Sequence, residues 1–146
     1  MTIENDQQFK KALAELSLEK QRELAAQFIN SVISLNSDPV IVRVLEAVQK
    51  TNSDFRDIYK VLKALSINTY TSCGSEADWT AQVAHFVASA AKLCATPEDL
   101  LHNKNNLAWQ CAMQTRMANN CAMMDSDSDE VDNEAQKQYG IAGNFI

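Results

Sequence analysis

Two long alanine-rich apolar segments, about residues 76–95 and 106–124, constrain this chain more than any other feature of its sequence. Trp79, Val83 and Val87 in the first, and Trp109, Met113, Met117 and Cys121 in the second, recur at a four-residue step that keeps them on one helical face. In the first segment Asp78, Gln82, His85, Ser89 and Lys92 gather into one narrow polar stripe, expected to face water. The rest of the circumference is apolar or small, which predicts a helix buried on most sides. Alanines at Ala81, Ala84, Ala88 and Ala91, and at Ala108, Ala112, Ala118 and Ala122, let neighbouring helices approach closely.

The second segment has no clean wet face. Its polar residues Gln110, Gln114, Thr115, Arg116, Asn119 and Asn120 fall in nearly every sector of the helix. Arg116 follows Trp109 by seven residues, nearly in line with it, and Asn120 lies one turn further on. A cation among Trp109, Ala112, Met113 and Met123 must find a carboxylate, lay its stem on apolar surface, or anchor a binding surface. Trp109, Arg116 and Asn120 are therefore the candidate binding residues.

The remaining chain predicts more helices. Asn5 or Asp6 opens a short one to about Glu15, and Ser17 caps the next. Leu18, Leu24, Ala25, Phe28, Val32 and Leu35 form its apolar face, after a charged start at Glu19, Lys20, Gln21, Arg22 and Glu23 expected to be wet. Asp38 and Pro39 open a third helix to about Lys50, although Val40, Ile41, Val42 and Val44 alone also suit a strand. Phe55, Ile58, Tyr59, Leu62 and Leu65 give the cleanest helical stripe. Ser75 and Asp78 resemble a cap for the first central helix. Thr96 reads as the cap of a short helix running through Leu101, with Pro97 in its first turn. A last helix from about Asp129 to Gln138 is expected to end at Gly140, with Ile141, Phe145 and Ile146 packing back on the body.

These elements predict a single-domain all-α bundle or array of six to eight helices over residues 1–124, followed by an acidic tail at 125–146. Three glycines, two prolines and the lack of Asn-Gly or Asp-Gly dipeptides argue against β-structure. The 30-residue offset between Trp79 and Trp109 hints at a duplicated hairpin, but two buried alanine-rich helices look alike without any repeat.

Charge narrows the function. Residues 1–70 carry 9 basic and 9 acidic side chains, residues 71–124 carry 3 and 4, and residues 125–146 carry 1 and 6, so most of the net charge of −6 belongs to the tail. No basic stripe is offered to phosphates, so no nucleic-acid partner is expected. No run of 18 apolar residues and no charged-then-apolar leader occurs, which points to a cytoplasmic protein with no membrane partner. Cys73, Cys94, Cys111 and Cys121 form no Cys-x-x-Cys pair and are expected reduced; Cys73 alone precedes a helix start, where a thiol can be activated. Asp125, Asp127 and Asp129 imitate the first ligands of a calcium loop, but Glu130 and Gln136 stand where glycine and a bidentate glutamate are needed. No metal or other cofactor is expected.

No phosphate loop, nucleophile elbow or zinc pattern is present, and His85, read as a surface histidine, is too far from Cys94 to pair with it. The leading expectation is a non-enzymatic protein that binds or regulates another protein. Small acidic helical proteins such as bacterial immunity proteins are of this type. Two rivals remain: an enzyme or small-ligand binder with a pocket around Trp109, Arg116, Met113 and Met117, and a homodimer that packs the second central helix on its own copy.

Overall fold

The computed structural model describes residues 2–36, 38–48, 50, 55–72, 79–126 and 134–146. Among them every regular element is helical. Seven α-helices follow one another: α1 (Asp6–Ala14), α2 (Leu18–Ser31), α3 (Pro39–Val48), α4 (Arg56–Ser72), α5 (Trp79–Ala95), α6 (Leu107–Ser126) and α7 (Glu134–Phe145). Short 3₁₀ turns at Ile33–Leu35, Glu98–Leu100 and Lys104–Asn106 bend the connections. None of the described helices is long and apolar enough to cross a membrane.

Local chemistry sets the helix starts. The Asn5 and Ser17 side chains accept hydrogen bonds from the backbone N–H of Gln8 and Lys20. Asp38 does the same for Val40, just ahead of the proline that begins α3. Each satisfies a donor that the first helical turn would leave free.

The pair α5 and α6 forms the most extensive contact, α4 packs against α5, and α2 contacts both central helices. Two apolar clusters result. One gathers Ile29, Ile41, Val44, Leu62, Val87, Cys94 and Leu107 from α2 through α6. The other gathers Phe9, Leu13, Leu24, Phe28, Ala108, Ala112 and Tyr139 from α1, α2, α6 and α7. Because α6 contributes to both clusters, apolar contacts reach it from two directions, and Thr115 and Asn119 are buried with its alanines. That explains why the sequence of α6 has no clean wet face.

Four expectations need correction. The polar stripe of α5 is a seam between helices: Gln82, His85, Ser89 and Lys92 are half-buried. His85 Nδ1 lies 3.2 Å from the Ser66 carbonyl, which can only accept, so the ring donates there; Ser89 Oγ is 3.4 Å from Nε2 and 3.3 Å from Ser66 Oγ. His85 and Ser89 therefore bridge to α4.

Gln21 and Arg22, placed in the wet start of α2, are buried. They fall on the inward face with Leu18, Leu24, Ala25, Phe28 and Ile29, so docking α2 on α5 and α6 takes them inside.

Thr96 does not cap the following turn. Its hydroxyl donates to the Lys92 carbonyl and closes α5, and the residues after Pro97 form a 3₁₀ turn.

Finally, α7 does not stop at Gly140 but runs to Phe145. Burial of Tyr139 and Ala142 on α1, α2 and α6 outweighs the roughly 1 kcal/mol a mid-helix glycine costs. The expected start of this helix at Asp129, the calcium-like residues Asp127 and Asp129, Cys73, and the Ser75 and Asp78 cap lie outside the described residues.

Candidate functional site

Arg116 and Trp109 are brought together, and with them residues that the sequence did not connect. The Arg116 guanidinium forms a two-toothed ion pair with Asp6, Nη1 to Oδ2 at 3.0 Å and Nη2 to Oδ1 at 2.8 Å. Its Nε donates to Gln138 Oε1 at 2.7 Å. Gln138, fully buried, turns its amide N–H groups to the Ala112 carbonyl and the Thr115 hydroxyl. Tyr139 donates its hydroxyl to Asp6 at 2.6 Å. The rings of Phe9, Tyr139 and Trp109 surround the cation at 5.6, 5.8 and 6.0 Å. This network ties α1 and α7 to the middle of α6.

The electrostatics follow from these contacts. The hydrogen bond from Arg116 holds the Asp6 carboxyl below its usual 3.8; partial desolvation opposes this, and the Tyr139 hydroxyl adds to the lowering. Burial pushes Tyr139 up, and its bond to Asp6 pushes the same way. A carboxylate whose pKa is depressed by folding stabilises the fold above its unfolded pKa, and that contribution is lost as pH falls through the folded value. Urea titrations should therefore show stability declining as pH drops below 3.8, with a shallower decline in Asp6→Asn. Identical acid limbs for the two proteins would mean that the ion pair is not coupled to folding.

Arg22 is a second internal cation. Its two terminal nitrogens donate to the carbonyls of Cys94 and Thr96, each at 2.5 Å, and its carbon lies 4.8 Å from the centre of the Phe55 ring. It closes the C-terminus of α5, where the helix dipole favours a positive charge. Burial lowers the Arg22 pKa and raises that of the adjacent Cys94 thiol to about 12. Cys111 is likewise pushed up by burial and by Cys94. Thiols held protonated in this way are poor nucleophiles. Cys94 and Cys111 are core residues that donate to the carbonyls of Arg22 and Ala90.

The open side of α6 is of a different kind. Gln110, Met117 and Asn120 are exposed and Met113 is half-buried, at spacings that align them in one stripe. Met117 is 44% exposed, and the stripe carries no charged residue. Beside it a depression of about 330 Å³ opens between α5 and α6, lined by Ser89, Lys92, Leu93, Trp109, Gln110, Met113 and Gln114. Trp109 thus has two neighbourhoods: its ring packs 5.9 Å from Phe9 and under the Lys10 ammonium, and it also borders this depression. Asn120 belongs to the stripe. Arg116 belongs to neither the stripe nor the lining of the depression.

A larger groove of about 670 Å³ runs between α2, α3 and α7, over Ala26, Leu45, Val48, Ile141 and Phe145. Its polar margin is partly taken up within the fold, since Glu23 pairs with Lys20 and Ser31 donates to Glu134. Among the described residues no three His, Cys, Asp or Glu side chains converge as metal ligands would.

Sequence reasoning missed Arg22, Asp6, Gln138 and Tyr139. For Arg22 a signal existed, because Leu18, Arg22, Ala25 and Ile29 keep the spacing of an apolar stripe. For the other three there was none. Neither a family model, nor a curated protein, nor a solved structure matches the chain.

Proposed function

We propose that this chain is a non-enzymatic interaction protein, and that the open stripe of α6 with its flanking Trp109 is the surface that meets its partner. One observation carries the reading. The solvent-facing stripe of the most central helix is uncharged and holds two methionines, in a chain where 22% of residues are charged. Exposed helix faces are ordinarily rich in Lys and Glu, whereas the centres of protein interfaces lose charge and gain methionine and aromatic residues. Methionine also adapts its shape to the surface it meets. Arg116, the one charge on this half of α6, is withdrawn into its pairing with Asp6 and leaves the stripe neutral.

The reading is tested by placing a photo-crosslinking amino acid at Asn120, in the middle of the stripe, and at exposed Glu46 of α3 as a control. A partner captured from the native cell at Asn120 and absent at Glu46 is the expected result, and Met117→Lys should abolish the capture. Met117 is exposed, so that substitution should change stability by less than about 0.5 kcal/mol. Equal capture from both positions, or capture indifferent to Met117→Lys, would remove α6 as the contact surface.

A further inference from the structure

We infer that the depression between α5 and α6 is the specificity pocket of this surface and receives an apolar side chain lying next to a carboxylate, in an acidic segment of the partner. The inference rests on the reading of α6 given above. At about 330 Å³ the depression is near the low end of the range for ligand pockets, enough for a side chain or two and their backbone. Leu93, Trp109 and Met113 supply apolar wall. Around them stand the amide heads of Gln110 and Gln114 and the ammonium of Lys92, none of which makes a hydrogen bond or ion pair with the described residues.

Charge decides the occupant. Among the described residues the one charged group lining this depression is a cation, Lys92, and no carboxylate of that lining answers it. Lys20, Arg56 and Lys137 pair with Glu23, Asp99 and Glu134, whereas Lys92, like several exposed cations, has no such pair among the described residues, and it alone of these lines the depression. Lys92 is half-buried between helices and lines the depression. A basic partner would meet Lys92 as a like charge at close range, which disfavours it. An acidic one gains an ion pair that is partly shielded from water, while the glutamine amides can both donate to and accept from its backbone.

The test uses the full-length protein as bait for a display library of short random peptides. Enriched sequences should place Asp or Glu beside Leu, Phe or Met. Their affinity, read by fluorescence anisotropy, should fall about tenfold in Lys92→Gln, equivalent to about 1.4 kcal/mol, fall further in Lys92→Glu, and be largely kept in Lys92→Arg. Circular dichroism establishes that each variant is folded. Peptides weakened by Met117→Lys but indifferent to Lys92→Glu would leave the α6 surface standing and overturn the pocket. Peptides indifferent to both would overturn both. A basic or purely apolar consensus, or no enrichment at all, would also overturn the acidic occupant. So would a dimer in light scattering that Met117→Lys dissociates, since a second copy would then hold the site.

Discussion

Arg22→Met is expected to destabilise the fold by about 3–5 kcal/mol, measured as the shift of the urea midpoint at constant slope. Methionine matches the stem of the arginine in length and apolar character, so packing is largely kept. What is lost is the pair of donors to the carbonyls of Cys94 and Thr96, at the buried end of α5. Leaving a buried acceptor without a partner costs about 1–3 kcal/mol each, and the ring contact with Phe55 disappears as well. Arg22→Lys should recover only part of this, because a single ammonium on a flexible stem replaces a planar fork. A loss below about 1 kcal/mol for Arg22→Met would mean that water replaces the guanidinium at these carbonyls.

Phe9→Ala should cost a comparable 3–5 kcal/mol, the usual range for removing a fully buried aromatic ring. Phe9 comes from a nine-residue helix that could not persist alone, and with Leu13 it is one of the fully buried residues that hold that helix. Its ring meets Phe28 of α2 at 5.8 Å, Trp109 of α6 at 5.9 Å and Tyr139 of α7 at 5.3 Å. Arg116 lies over the same ring, so the truncation should also loosen the ion pair to Asp6. Near-ultraviolet circular dichroism should lose its aromatic signal along with the stability. A stable variant with unchanged aromatic signal would show that α1 is held by other contacts.

The two cations of the interior illustrate how a small helical domain handles charge. Arg116 uses a carboxylate that is still half in water, so its pairing costs little desolvation on the acid side. Arg22 uses backbone carbonyls instead. Both are arginine, whose fork satisfies two acceptors at once. Each also anchors a junction: Arg22 joins α2 to the end of α5, and Arg116 joins α1 and α7 to α6.

Much of the helical framework was legible in the sequence because its causes are local. Asn5, Ser17 and Asp38 cap helices through bonds to donors two or three residues away, and the stripe from Phe55 to Leu65 needs only the helical repeat to announce itself. Trp109, Arg116 and Asn120 share one helix, and their separate placements were only partly legible. Sequence showed that α6 lacked a wet face, but not that Arg116 would turn inward while Asn120 stayed outside.

The fate of polar residues on apolar stripes was decided by tertiary structure alone. Arg116 meets Asp6 across 110 positions and Arg22 meets Cys94 across 72, separations at which helical periodicity carries no information. The seam that takes in His85, and the packing that carries α7 through Gly140, have the same origin. Local propensities there amount to about 1 kcal/mol, and burying a neighbouring helix face outweighs them. The sequence by itself determined that the chain forms amphipathic helices and, at Asn5, Ser17 and Asp38, where they begin. Which faces those helices hide from water was settled only when α2, α5 and α6 packed together, because desolvation depends on the neighbour and not on the segment.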